Sequence, residues 1–196
     1  MTLDDATDAA LAVRAAAGDE PAFGQLMRRH KGSLFHVLRR LTGDPDDAYD
    51  LSQETFVATW RALGRYDPAR PFAGWLRQIA LNKARDWARR RHVRRLVASI
   101  IPGAADAALL VADPAPSPEA AMADAQALRR LDGAIAALPA TLKEALVLTV
   151  FDGMSQAAAA ALLGISEKAV ETRVRRARQR LRDALTDQDG RLLTLT

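Results

Sequence analysis

Side chains of the types that bind nucleic acid recur at helical spacing between residues 72 and 91. At about 100° of rotation per residue, one side of this segment collects apolar residues, namely Phe72, Trp75, Leu76, Ile79, Ala80 and Trp87. The opposite side carries amide and guanidinium groups, namely Gln78, Asn82, Arg85 and Arg89. These groups hydrogen-bond bases and phosphates. The pattern predicts a helix that packs through one face and binds nucleic acid through the other, against the alternative of an ordinary solvated surface.

Aromatic residues are concentrated beside this segment, around the loop 64–71 with the sequence GRYDPARP. Six of the ten aromatic residues of the chain lie between positions 56 and 87: Phe56, Trp60, Tyr66, Phe72, Trp75 and Trp87. Proteins bind single-stranded nucleic acid with rings that stack on unpaired bases and arginines that hold the backbone. We therefore expect this region to bind unpaired nucleic acid, while core packing uses most of the rings.

The residues from 155 to 185 have the pattern of a helix-turn-helix. Ser155 and Ser166 stand where N-caps are expected, and Gly164 supplies the left-handed residue that ends the first helix. On the second helix an apolar stripe is predicted to be buried: Val170, Val174, Ala177, Leu181 and Leu185. The rest of that helix carries six arginines between positions 173 and 182. So many arginines favour a phosphate-rich partner over a surface helix whose charges serve only solubility. We therefore expect this helix to bind DNA.

The elements that position these groups are predicted to be helices throughout, because apolar residues recur at helical spacing and alternating β-type runs are missing. Asp19 before Pro21 and Asp44 before Pro45 mark two helix starts. Helices are expected near 20–31, 33–41, 45–63 and 139–151. The acidic cluster that begins at Asp44 lacks the glycine and the final glutamate of a calcium loop, so helix capping explains it better.

A change of composition divides the chain of 196 residues. Between Leu96 and Leu128 lysine and arginine are absent, while prolines and acidic residues recur. Such a stretch predicts a flexible, acidic linker. The expected fold is all-α, with two small helical domains at 1–95 and 125–196, a linker at 96–124, and the helix-turn-helix in the second domain.

Composition excludes several classes of protein. The chain contains no cysteine, so disulfides and thiolate metal sites are ruled out. It shows neither a signal-peptide pattern nor a run of about eighteen apolar residues, so we expect a soluble, cytoplasmic protein without membrane insertion. The histidines, His30, His36 and His92, have no partner at a spacing typical of metal binding or acid–base catalysis. We therefore expect no enzyme activity, no catalytic residue, no metal and no cofactor.

Three N-terminal stretches and one C-terminal stretch resemble a known family. The first three are GDEPAFGQLMRRH, DAYDLSQETFVATWRAL and RPFAGWLRQIALNKARDWARRR, and the last is LPATLKEALVLTVFDGMSQAAAAALLGISEKAVETRVRRARQRL. In order and spacing they are similar to bacterial RNA polymerase sigma factors of the extracytoplasmic-function type. A lone helix-turn-helix is weak evidence, but this two-domain combination is specific and covers nearly the whole chain.

The resemblance implies a dissociable subunit that binds the clamp and flap regions of RNA polymerase core and directs initiation at particular promoters. The polymerase-binding residues that it implies lie on one helix: Asp50, Gln53, Glu54, Phe56 and Trp60. Those implied for the downstream promoter element are Arg65, Tyr66, Arg70, Trp75, Gln78, Asn82, Arg85 and Arg89. Those implied for the upstream element are Ser166, Lys168, Glu171, Thr172, Arg173, Arg175 and Arg176. The resemblance also implies that the linker runs toward the polymerase active centre and that an anti-sigma factor holds the protein inactive.

Two positions depart from the family pattern. Ala158 stands where a glutamate is common, and Glu171 where a basic or small residue is common. Since glutamate accepts from cytosine amino groups whereas arginine reads guanine, Glu171 leaves the upstream base preference open. The rival interpretation is a two-domain helix-turn-helix regulator that is not a polymerase subunit. Binding to polymerase core separates the two.

Overall fold

The fold is described by a computed structural model, which gives the backbone of residues 3–100 and 130–186 and the side chains of residues 3–94 and 130–186. In these ranges the regular elements are helices, and there is no strand. The predicted all-α class is therefore confirmed. No helix in the same ranges is both long enough and apolar enough to cross a lipid bilayer.

The described N-terminal half consists of four helices around one apolar core. They are α1 (Asp8–Ala16), α2 (Glu20–Thr42), α3 (Pro45–Ala62) and α4 (Phe72–Ile100), with a 3₁₀ turn at Leu63–Arg65. The centre of the core is formed by leucines that are at most 2% exposed, namely Leu11, Leu26, Leu38, Leu51, Leu76 and Leu81. Phe23 of α2 adds edge-to-face contacts with Phe56 and Trp60 of α3, at ring-centroid distances of 6.4 and 4.9 Å. These contacts fix α2 and α3 as the pair against which α4 packs.

The predicted break between helices at 20–31 and 33–41 is wrong, because α2 runs without interruption from Glu20 to Thr42. Glycine inside a helix costs about 1 kcal/mol relative to alanine. At Gly32 that cost is offset by buried leucines on either side of it, Leu26 and Leu34. The apolar stripe therefore decides the helix length here, and the glycine does not end it.

The predicted helix starts are confirmed at both aspartates. Asp19 Oδ1 accepts a hydrogen bond from Ala22 N at 3.0 Å, which caps α2. Asp44 Oδ1 accepts from Asp46 N and Asp47 N at 2.9 and 3.0 Å, which caps α3. Asp44 is thus a cap, as the interpretation of the acidic cluster required. Asp47 has a further role, because its Oδ1 accepts from the indole N–H of Trp87 at 2.9 Å and ties α3 to α4.

Helix α4 extends to Ile100, which is five residues beyond the predicted domain boundary at 95. The sequence offers no helix breaker before Pro102, so nothing in the backbone chemistry ends the helix earlier. The rest of the predicted linker, 101–124, lies outside the described residues.

Several polar contacts attach the N-terminal segment to α2, and the carboxylate of Asp8 makes two of them. Asp8 accepts from Arg29 Nη1 at 2.9 Å and pairs with His30 Nε2 at 2.7 Å. Partial burial alone would raise the pKa of Asp8, but hydrogen bonds and charge from Arg29 and His30 lower it below the usual carboxyl value. His30 therefore has a structural partner that the sequence did not reveal.

The C-terminal half contains the predicted helix-turn-helix. Its elements are α5 (130–137), α6 (Ala140–Leu146) continued by a π-helical turn (Val147–Phe151), α7 (Gln156–Leu163) and α8 (Glu167–Leu185). Ser155 and Ser166 cap α7 and α8 through their side chains, and Gly164 ends α7 at a φ of 68°, as predicted. The buried stripe predicted for α8 is confirmed most firmly at Val170 and Ala177, both 0% exposed.

Candidate nucleic-acid interface

Helix α4 has the two faces that its sequence predicts. On the inner face, Phe72 and Leu76 are 2% and 1% exposed. On the outer face, the side chain of Arg89 is 77% exposed and Asn82 is exposed as well. Gln78 Nε2 donates to Asn82 Oδ1 at 3.5 Å, so the two amides are neighbours on that face. Gln78, Asn82 and Arg89 thus form one polar surface.

Arg85, the fourth residue predicted for this surface, is bound within the chain. Its Nε and Nη2 atoms donate to the two carboxylate oxygens of Glu144 on α6, each at 2.8 Å. Hydrogen bonding to Glu144 raises the pKa of the Arg85 guanidinium. In this conformation the Arg85 guanidinium is bound to the C-terminal half, while its side chain is still 39% exposed.

The loop before α4 exposes its arginines but buries its tyrosine. Arg65 is exposed, and the side chain of Arg70 is 81% exposed. Tyr66 is only 9% exposed, and its ring lies 5.0 Å from that of Trp75. Its hydroxyl donates to Arg70 O at 2.6 Å, and burial raises the pKa of Tyr66. Because both rings pack in the domain here, stacking on a base requires the loop to rearrange.

The outward face of α8 is strongly basic. Arg175 and Arg176 are exposed, and Arg173 is half-buried. Arg173 and Arg176 form no salt bridge with any residue that the structure describes. Unpaired guanidinium groups on the second helix of a helix-turn-helix are available to phosphates and base edges in a major groove.

The first turns of α8 bring the remaining predicted residues together. Ser166 Oγ accepts from the backbone of Ala169, and the Thr172 hydroxyl donates to Lys168 O. Lys168 Nζ donates to Glu171 Oε2 at 2.7 Å, and this hydrogen bond together with the lysine charge lowers the pKa of Glu171. Glu171 is therefore an ionised acceptor at neutral pH, for which Lys168 competes with any base amino group.

A second candidate interface is an apolar groove between α2 and α3, with a volume of about 1070 Å³. Its apolar lining residues are Phe23, Met27, Phe35, Tyr49, Phe56, Val57 and Trp60. Tyr49 and Val57 are 60% and 50% exposed even though they are apolar in character. Exposed apolar side chains gathered in one groove are typical of a site that docks another protein.

The residues predicted on α3 lie in this groove and at its edge. Three of them line the groove: Gln53, Phe56 and Trp60. Phe56 is 5% exposed, so it belongs mainly to the core. Asp50 and Glu54 line a polar depression beside the groove, where Glu54 Oε2 accepts from Lys83 Nζ at 3.1 Å. The predicted surface is therefore part apolar and part acidic.

Sequence reasoning missed Tyr49 and Val57, although their spacing carries a signal. Tyr49, Gln53, Val57 and Trp60 follow one another at intervals of four, four and three, which places them on one face of α3. It also missed the carboxylates of the C-terminal half that pair with α4, because pairing between distant segments leaves no local periodicity.

Two family descriptions match the chain. Residues 26–95 match sigma-70 region 2, and residues 128–181 match sigma-70 region 4. Region 2 thus covers most of α2 with α3 and α4, and region 4 covers the helix-turn-helix.

Relatives match over most of the chain. The RNA polymerase sigma factor CnrH of Cupriavidus metallidurans is 44% identical over 191 residues, which are 97% of this chain and 99% of that protein. The ECF RNA polymerase sigma factor SigE of Mycolicibacterium smegmatis is 36% identical over 177 residues, which are 89% of this chain and 66% of that protein. The structure of CnrH in complex with the cytosolic domain of CnrY aligns with a TM-score of 0.65 at 39% identity, over 89% of this chain and 94% of that one. The chain therefore belongs to the sigma-70 family, as an RNA polymerase sigma factor of the extracytoplasmic-function group.

Proposed function

We propose that this protein is an alternative sigma factor that binds RNA polymerase core, selects promoters and opens them, and that an anti-sigma factor holds it inactive. The observation that carries the proposal is the order of two family regions on one chain, region 2 followed by region 4. Each region has its own binding face. The protein supplies recognition of DNA as a non-catalytic subunit, and the polymerase supplies the chemistry.

The polymerase clamp is assigned to the groove between α2 and α3. Covering Tyr49 and Val57 removes apolar surface from water, which contributes about 25 cal/mol per Å². The acidic edge formed by Asp50 and Glu54 lets a basic partner orient itself on the same helix. An apolar groove with a charged edge fits a stable but reversible interface.

Promoter DNA is assigned to two separate surfaces. The downstream element meets the outer face of α4 and the two exposed loop arginines, Arg65 and Arg70. The upstream element meets α8, which enters the major groove in the manner of other helix-turn-helix proteins. Contacts to phosphates fix the orientation of each domain, and contacts to base edges give the specificity.

The anti-sigma factor is assigned by similarity to CnrH, whose structure contains the cytosolic domain of CnrY. The groove supports this assignment as well, because its exposed apolar residues offer anchorage for a competing protein. An inhibitor that covers the groove keeps the polymerase away from the same surface. Co-purification from the native host, in stressed and unstressed cells, identifies this partner, and recovery of polymerase subunits alone in both would contradict its existence.

Reconstituted transcription tests the whole proposal. We expect core polymerase with this protein to form a stable complex and to give defined transcripts from promoters recovered by genome-wide selection. A helix-turn-helix regulator that is not a polymerase subunit would bind DNA but would neither join core polymerase nor start transcription without another sigma factor. Absence of both the complex and the transcript would overturn the proposal.

We expect Arg176→Ala to weaken binding to upstream-element DNA by about 1–3 kcal/mol if the guanidinium reads a base, with relaxed preference at one position. A phosphate contact would instead weaken binding to all sequences. It would also reduce the slope of log affinity against log salt concentration by about one. Titrations of promoter variants at several salt concentrations separate these results. Arg182→Ala removes the same charge about 120° away around α8 and more than a turn further along it, and is the matched control. Unchanged affinity of Arg176→Ala for every sequence would exclude Arg176 from the interface.

A further inference from the structure

The two family regions are held together by arginine–carboxylate pairs on α4. Arg77 pairs with Asp152, which follows α6 and its π-helical turn, through two donors, and Nη2 lies 2.5 Å from Asp152 Oδ1. Their side chains are only 13% and 3% exposed. Arg85 pairs with Glu144, whose side chain is 9% exposed. We call these two pairs the clasp.

The spacing of the clasp residues matches on its two sides. Arg77 and Arg85 are eight residues apart on α4, and Glu144 and Asp152 are also eight residues apart. Helical residues rise about 1.5 Å each, so the two arginines are about 12 Å apart along α4, and the two carboxylates flank a run that starts in α6 and includes its π-helical turn. Because the first arginine meets the second carboxylate, the two segments run in opposite directions. Two pairs in register specify one docked arrangement, which a single pair would not.

Apolar contacts and a third ionic contact accompany the clasp. Val147 is 0% exposed within the core of the N-terminal half, and Leu162 and Leu163 pack against that core. Arg40 of α2 pairs with Asp132 of α5, and its guanidinium lies 4.5 Å from the ring centroid of Phe151. The interface is therefore continuous from α2 to α4.

We propose that the free chain closes region 4 over α4 through the clasp, and that the closed form withholds Arg85 from promoter DNA until the clasp opens. Glu144 occupies two donor atoms of Arg85 with two carboxylate oxygens, in the geometry by which guanidinium groups hold phosphate. The carboxylate thus takes the place of a DNA phosphate. The consequence for DNA rests on the function proposed above, whereas the closure itself does not.

Ion pairs of this kind suit a contact that must open: Arg77 and Asp152 are nearly buried, and Glu144 is 9% exposed while Arg85 is 39% exposed. Their mutual attraction is largely cancelled by the cost of removing both charges from water. The closed form then depends on a modest surplus from the apolar contacts and on the covalent connection, which raises the effective concentration of one region beside the other. Polymerase core, by binding either region in its open arrangement, shifts such a balance.

Fluorescence transfer within the full chain tests the closure. The sequence has no cysteine, so Val57→Cys on α3 and Ala184→Cys on α8 give two unique dye positions. We expect high transfer at low salt, a fall as salt rises from about 50 to 500 mM, and a ratio of open to closed chains that rises about tenfold for each pair neutralised by Glu144→Gln or Asp152→Asn. Far-UV circular dichroism checks that helix content is retained.

A matched control has the same net charge as the double variant Glu144→Gln, Asp152→Asn. Asp46→Asn with Asp183→Asn removes two exposed carboxylates, neither of which pairs with the other region in the described chain, and should leave the transfer unchanged. Glu144→Arg should open the chain, and adding Arg85→Glu should close it again. Wild-type transfer in the Glu144→Gln, Asp152→Asn double variant, or low transfer in the wild type at low salt, would overturn the proposal.

Binding of the free protein to downstream-element DNA tests whether the closed form withholds Arg85 from DNA. The double variant should bind about tenfold more tightly than the charge-matched control, because Arg85 is released to the DNA. Equal affinity of the two would refute the withholding of Arg85 even if the clasp opens. If no variant binds DNA or joins polymerase, the proposed function fails, while the transfer measurement still decides the closure.

Discussion

Val57→Asp is expected to weaken binding to RNA polymerase core at least about a hundredfold, because an unpaired carboxylate buried in an apolar interface costs several kcal/mol. Promoter-specific transcription should fall with it at limiting protein concentration. Val57 is 50% exposed in the groove between α2 and α3, so the change leaves the core of the free protein intact. Titration of labelled protein with core polymerase measures the affinity directly.

The matched control is Val13→Asp on α1, where the valine is 52% exposed and does not line the groove. It introduces the same charge on the same domain and should keep wild-type affinity. If Val57→Asp binds core polymerase as tightly as Val13→Asp does, the groove is not the docking surface. Equal losses in both variants, with helix content reduced, would instead point to a folding defect.

Local chemistry explains why much of the fold was predictable. Caps and helix ends depend on a few neighbouring residues, so Asp19, Asp44, Ser155, Ser166 and Gly164 were all assigned correctly. The apolar periodicity of α8 and α4 likewise reports burial, because one face of each helix must pack. These features give the helix-turn-helix and the polar outer face of α4 without any knowledge of the tertiary structure.

The features that failed depend on the rest of the molecule. Gly32 was read as a break, but buried leucines on both sides keep α2 continuous. Tyr66 was expected to contact promoter DNA, but its ring packs against Trp75 and its hydroxyl donates a hydrogen bond to the Arg70 carbonyl. Arg85 was placed on the correct helix, but its partner Glu144 lies 59 positions away in the sequence. Periodicity assigns a face to a helix and does not say what covers that face.

These differences sharpen the choice of residues for testing promoter opening. Tyr66→Ala would remove a ring from the core, and large-to-small changes of this kind cost about 3–5 kcal/mol of stability. Arg85→Ala would break a contact between the two regions as well as any DNA contact. Asn82 and Arg89 lie on the exposed face of α4 and are free of both complications.

We expect the double variant Asn82→Ala with Arg89→Ala to reduce open-complex formation at least about thirtyfold, since each of the two lost contacts to unpaired bases or their backbone is worth about 1–3 kcal/mol. Core binding and thermal stability should stay near wild type, because neither side chain is buried. Permanganate reactivity of unpaired thymines measures opening.

Arg14→Ala on α1, whose side chain is 46% exposed, is the control for loss of one surface charge. A pre-melted template should restore much of the lost activity, because the cost of separating the strands has already been met. Equal losses on duplex and pre-melted templates would assign Asn82 and Arg89 to docking and remove them from the opening step.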